Sequence, residues 1–128
     1  MKSKLYFFLV MVIVNFSCVN NSTDNIQELG SNYYYLGDAN ESQILINLKP
    51  KSKDKFGKTV ISPEVVEYNF NDNYIIAKSI EVIDNKTIDK FWLIDKRKKN
   101  DSISPMDSIK FSHQLDSLKL NIKLKNRK

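Results

Sequence analysis

The chain has 128 residues, one cysteine, one histidine, three glycines and a formal net charge of +5. A single cysteine excludes an intramolecular disulfide, the usual staple of small exported domains, so stability has to come from an apolar core. A length near 100 residues after any leader suits one domain. The positive charge is unevenly placed. Lys119, Lys123, Lys125, Arg127 and Lys128 crowd the C-terminus, while residues 19–118 carry 13 basic and 15 acidic side chains. A nucleic-acid footprint is a basic patch organised on the fold with stacking aromatics beside it, and that distribution argues against one.

Lys2 and Lys4 precede the apolar run Leu5-Tyr6-Phe7-Phe8-Leu9-Val10-Met11-Val12-Ile13-Val14, which closes on Asn15-Phe16-Ser17-Cys18. A basic start, a short apolar run and a small residue before the cut define an export signal; a membrane-spanning helix needs roughly 20 apolar residues. The segment resembles the signal of bacterial lipoproteins, in which cleavage falls just before a cysteine that receives lipid. Ser17 fits that pattern, whereas Asn15 stands where an aliphatic residue is usual. The expectation is a signal peptide over 1–17, lipidation at Cys18, a polar tether over 18–29 and a single domain over 30–128. Two or more acyl chains hold a protein stably on a bilayer, at about 0.8 kcal/mol per buried methylene.

Gly30 is expected to open the folded part. Tyr33-Tyr34-Tyr35-Leu36 has the aromatic density of a strand, and Gln43–Leu48 alternates with Ile44, Ile46 and Leu48 on one face, which predicts a hairpin. Lys49–Lys55 is a charged loop interrupted by Pro50. Val60 and Ile61 mark a short strand within 58–62. The clearest alternation is Val66, Tyr68 and Phe70 facing in against Val65, Glu67 and Asn69 facing out. Asn71-Asp72-Asn73 supplies turn residues, and Tyr74–Ile80 returns as the second half of a central hairpin. Asp84-Asn85-Lys86-Thr87 makes another turn, and Lys90–Asp95 is apolar enough to be covered on both faces. After the basic run Lys96-Arg97-Lys98-Lys99, Ser104-Pro105-Met106-Asp107 reads as a helix start. Phe111, Leu115, Leu118 and Ile122 then share one helical face. A helix from Pro105 to about Lys119 is predicted, with a frayed tail beyond. These elements predict an α+β domain: a mostly antiparallel meander sheet of four to six strands with one C-terminal helix packed on a face.

No residue set carries a recognisable catalytic motif. His113 lacks the companion histidines or cysteines of a transition-metal site, and Gly30, Gly37 and Gly57 are too dispersed for a phosphate loop. No metal or cofactor is expected. Asp38, Glu41, Asp72 and Asp84 are turn carboxylates. Among the strand aromatics, Tyr34, Tyr74 and Trp92 are the candidates for a surface that meets a protein or glycan partner. Asp101-Ser102-Ile103, Asp107-Ser108-Ile109 and Asp116-Ser117-Leu118 each match a short O-glycosylation pattern of exported bacterial proteins.

Tyr33-Tyr34-Tyr35-Leu36-Gly37-Asp38, Val65-Val66-Glu67-Tyr68-Asn69-Phe70-Asn71-Asp72, Tyr74-Ile75-Ile76-Ala77-Lys78 and Phe91-Trp92-Leu93-Ile94-Asp95-Lys96 together resemble an uncharacterised family of small bacterial lipoproteins, mostly from Bacteroidetes, classed as a domain of unknown function. The likeness runs from about Gly30 to Ile122, with Ala39 standing where a glycine is expected. It implies location and architecture, not an activity. The functional expectation is therefore a non-catalytic binding module, lipid-anchored at the cell envelope on the periplasmic or surface side, that meets an envelope protein or glycan and no nucleic acid. Two alternatives come from other classes: an immunity or inhibitor protein directed at a toxin or hydrolase, and an enzyme built on dispersed carboxylates such as Asp38, Glu67 and Asp72.

Overall fold

The computed structural model describes residues 26–47, 57–99 and 103–127. Cys18, the signal and tether over 1–25, and the lysine-rich loop lie outside them. The architecture is α+β and mostly strand: two antiparallel four-stranded sheets and one C-terminal helix. The first sheet runs in the order β1 (Ile26–Gly30), β2 (Tyr33–Leu36), β3 (Gln43–Ile46), β4 (Lys58–Ile61). The second runs β7 (Lys86–Asp95), β6 (Tyr74–Ile83), β5 (Val65–Phe70), β8 (Lys125–Asn126), with the helix α1 (Ser108–Ser117) outside it.

The hairpin of β2 and β3 forms with Tyr33 opposite Ile46 and Tyr35 opposite Ile44, the register that puts these four side chains on one face. That face meets Tyr68, Phe70, Ile75, Ala77, Trp92 and Ile94 of the second sheet, and the cluster they make is the core. Tyr35 and Tyr68 stack across the seam with ring centroids 4.3 Å apart. Strand period explains the selection: alternate residues of one strand point to opposite sides, so Tyr34, between two core tyrosines, faces away.

Register shifts modify the simple alternation, one of them in β1 between Glu28 and Gly30. Between Val65 and Glu67 the register of β5 against β6 shifts by one residue. Tyr68 and Phe70 therefore face the core as expected, but so does Val65, which is fully buried. Another shift lies in β4 between its partners Ile44 and Leu45. Each extra residue adds local twist, which helps two short sheets close over one another.

The folded part starts earlier than Gly30. Ile26–Gly30 pairs with β2, and Leu29 is fully buried in the core. Ser31 and Asn32 take φ of 52° and 68°, the left-handed pair that suits the twist of a tight hairpin. Asp84 and Asn85 do the same between β6 and β7, at 50° and 63°. Ala39 has φ of 45°, a left-handed position that explains why a glycine is expected there.

The helix is shorter than predicted at both ends. Met106 exchanges two backbone hydrogen bonds with Phe91, at 2.9 and 3.0 Å, so the chain is still extended there and Ser104 cannot cap. Asp107 caps instead, its carboxylate accepting from the Lys110 amide at 2.7 Å; such caps contribute about 1 kcal/mol. Lys119, at φ 53°, ends the helix. Phe111 packs on Phe91, centroids 5.2 Å apart, while Leu118 is 41 % exposed and Ile122 lies past the helix. The tail does not fray. Its residues cross the outer face, where Asn69 donates to the Lys123 carbonyl, and Lys125–Asn126 pairs with β5. Arg127 then donates to Val65 O at 3.1 Å and Glu64 Oε1 at 2.6 Å beside its own sheet and reaches across to Ala39 O, between β2 and β3, at 3.0 Å.

Candidate functional site

The two sheets meet differently at their two ends. At one end, Ser42 O accepts from the Val65 amide at 2.8 Å and Arg127 joins both sheets. β1 begins on this side, and the β6–β7 hairpin extends beyond it as an arm. At the opposite end, where β1 turns into β2 and β7 finishes, the sheets part around a cleft of about 480 Å³. That is within the range of small-molecule sites.

The cleft is lined by Tyr33, Ile46, Val60 and Ile103, with Lys58, Lys96, Lys98 and Lys99 among them; among the described residues no carboxylate lines it. Strand register puts Tyr33, Ile46 and Lys58 side by side across β2, β3 and β4. Lys96 follows Ile94 by two residues on β7, so it enters from the opposing sheet. Its backbone amide donates to Asn73 O at 2.8 Å, which prolongs the strand alternation past Asp95 and turns the side chain inward.

Lys96 is the unusual residue. Only 9 % of it is exposed, a burial rare for lysine. Its Nζ donates to Leu29 O at 2.6 Å and lies 5.6 Å from the centroid of the Phe70 ring. Among the described residues no carboxylate stands within 4 Å of it. Burial pushes its pKa below the ordinary lysine value, opposed by the more distant charge of Asp72. Tyr33 lines the same cleft; its hydroxyl is buried and has no hydrogen-bond partner among the described residues, and burial raises that phenol's pKa. A buried cation without a close counter-ion among the described residues thus lines a cleft that is part aliphatic and part basic. Gly30, at φ 87°, makes the approach possible, since a Cβ there would stand 2.8 Å from Lys96 Nζ.

A second cleft, about 570 Å³, lies between α1 and the end of β7 and is lined by Tyr74, Leu93, Asp95, Arg97, Met106 and Lys110 among others. It is larger, but its central charges are already matched. Arg97 donates to Asp95 at 3.0 and 3.1 Å and to the Tyr74 hydroxyl at 2.8 Å. The hydrogen bond from Arg97 holds the Asp95 carboxyl below the usual range. The unmatched charge is in the first cleft.

The three aromatic candidates do not converge. Trp92 is 7 % exposed and its indole nitrogen donates to Ser79 Oγ at 2.8 Å, so it is a core residue and not part of a partner surface. It pairs with Ala77 opposite Tyr68, where strand alternation points it inward. Tyr34 lies on the outer side of the first sheet and accepts from the Gly57 amide at 2.7 Å. Tyr74 lies on the outer side of the second sheet beneath the Arg97 guanidinium, 5.1 Å from its centroid.

The carboxylates also scatter. Asp72 and Asp84 occupy turns at opposite ends of β6, and Glu67 on the outer face pairs with Lys78 at 3.7 Å. No group of three histidine, cysteine, aspartate or glutamate residues among the described residues is placed to hold a metal. Sequence reasoning missed Lys96 because it heads a basic run; its signal was the two-residue period Trp92, Ile94, Lys96.

No curated protein and no solved structure matches the chain. A family model described as "Protein of unknown function (DUF3997)" matches residues 31–128, from the turn before β2 to the last lysine, and so takes in the core tyrosines, Lys96 and the Arg127 clasp. The chain belongs to that family of unknown function.

Proposed function

We propose that the protein is a lipid-anchored, non-catalytic binding module of the bacterial cell envelope, tethered through Cys18, and that its ligand occupies the lysine-lined cleft between the sheets. The observation that carries the binding reading is Lys96: a nine-tenths buried ammonium in a cleft that no carboxylate among the described residues lines. Removing a charge from water costs several kcal/mol unless a counter-charge compensates, and a bound anion supplies one. The scatter of Asp38, Glu67 and Asp72 favours binding over acid–base chemistry, which needs groups within hydrogen-bond reach of one substrate.

The anchoring reading rests on the basic start, the apolar run and the Ser17-Cys18 cut. It also suits the topology. β1 runs toward the cleft, so Ile26 lies at the other end, and a membrane on that side would leave the cleft mouth open to envelope partners. Mass analysis of the mature N-terminus, with fractionation of a Cys18→Ala variant, tests the anchor. A lipid-modified Cys18 and loss of the variant from membranes are expected; an unmodified start elsewhere overturns it. Pull-down from solubilised envelopes tests the binding role, and repeated recovery of the protein alone counts against a stable macromolecular partner.

A further inference from the structure

The cleft carries enough chemistry to name a ligand class, on the reading that it is the binding site. We propose that it takes a small amphiphile, with an anionic head on Lys96 and an apolar chain or ring along Ile46, Val60 and Ile103.

The head follows from the unfilled donors of Lys96. An ammonium has three donors, and the hydrogen bond to Leu29 O uses one. An oxyanion accepts from the others. It also neutralises a charge that burial makes costly, and charge-assisted hydrogen bonds are roughly twice as strong as neutral ones. Lys58, Lys98 and Lys99 are exposed at the rim; they raise the local concentration of anions without fixing one. The head is a carboxylate or a phosphate ester, since both present oxygens with lone pairs.

The tail follows from the walls. Ile46, Val60 and Ile103 are half-buried and flank the core, so their open sides face the cleft. A bare inorganic anion would leave them wet. An apolar chain of a few carbons would remove that surface from water at about 25 cal/mol per Å².

The test titrates the full chain carrying Cys18→Ser with decanoate, inorganic phosphate and decanol, each below any micelle-forming concentration, by calorimetry and by the NMR signals of the Lys96 side chain. Decanoate is expected to bind and to shift those signals. Lys96→Met should weaken it between about tenfold and a hundredfold. Val60→Trp, which fills the cleft and leaves Lys96 in place, should abolish binding, so the proposal stays testable where Lys96→Met does not fold. Decanol binding as tightly as decanoate overturns the anionic head. Phosphate binding as tightly as decanoate overturns the apolar half. Binding that is indifferent to Val60→Trp overturns the location. If no probe binds while envelope pull-down still recovers a partner, the ligand class falls and the binding role stands; if neither is seen, both fall.

Discussion

Lys96 and Leu29 stand 67 positions apart in the chain, and the ammonium of one donates to the carbonyl of the other at 2.6 Å. The bond joins β1 of the first sheet to the end of β7 in the second, in the buried interior. It also supplies the buried charge with its one recorded hydrogen bond among the described residues.

That arrangement fixes the sign of a pH effect. Burial lowers the pKa of Lys96 in the folded state, while the unfolded chain keeps the ordinary value of about 10.4. Between the two values the unfolded state binds more protons, so stability rises with pH. Urea unfolding of the wild type and Lys96→Met, compared from about pH 7 to about pH 10, should show the wild type gaining on the variant as pH increases. Tyr33 and Tyr68 act only above that window, because burial raises both phenols. A gap that is constant or closes with pH would contradict a desolvated ammonium.

Trp92 is the sole tryptophan, and its emission should lie at the short wavelengths of a buried indole. Trp92→Phe leaves Ser79, itself 2 % exposed, without its indole partner. The expected loss is about 1–3 kcal/mol for a buried group left unpaired, together with the cavity left by the smaller ring. Circular dichroism during urea unfolding measures it. An unchanged midpoint would mean that Trp92 is not packed in the seam.

Arg127 fastens the other end. Arg127→Ala removes donors to Ala39, Val65 and Glu64 at once, and the ion pair is partly exposed. A destabilisation of about 1–2 kcal/mol is expected. Arg127→Lys should recover only part of it, because an ammonium cannot reproduce the planar fork. Equal midpoints for wild type and Arg127→Ala would remove the clasp from the account.

The β6–β7 arm should behave differently. Val82, Ile83 and Ile88 are 68 %, 45 % and 40 % exposed, so Val82→Thr or Ile83→Thr should change stability by less than about 0.5 kcal/mol. Ile75→Ala, in the core, should cost about 2–5 kcal/mol. Amide exchange should be faster over 82–89 than at Ile75–Ala77. Strong protection at the arm tip would show a cover that the isolated domain does not provide.

The local pairings were legible because a half-buried strand repeats every two residues. The hairpins at Tyr33–Ile46 and Val65–Ile80 and the doubly covered Phe91–Ile94 stretch all follow from that period. The division into two sheets was not, since it depends on one-residue bulges in β4 and β5 that leave no compositional mark. β1 was hidden by its polar setting, although Gly30-Ser31-Asn32 before three tyrosines is a turn signal with a strand on either side. Trp92 was placed on a surface because its outer and inner faces look alike in an unbroken apolar run. The cleft was illegible as a site: its lysines come from β4 and from the end of β7, and only packing of the two sheets brings them together.

Arg127 lies 88 positions beyond Ala39, its partner between β2 and β3. A chain made from its N-terminus therefore presents every strand of the sandwich core before the side chain that clasps it. Neighbouring strands joined by short turns assemble from local contacts, and such contacts form fastest. The seam waits for the tail. Until then the edge of β5 that β8 covers stays bare, open to pairing with any extended segment nearby, so the interval between β7 and Arg127 is when this domain is most exposed to a wrong partner.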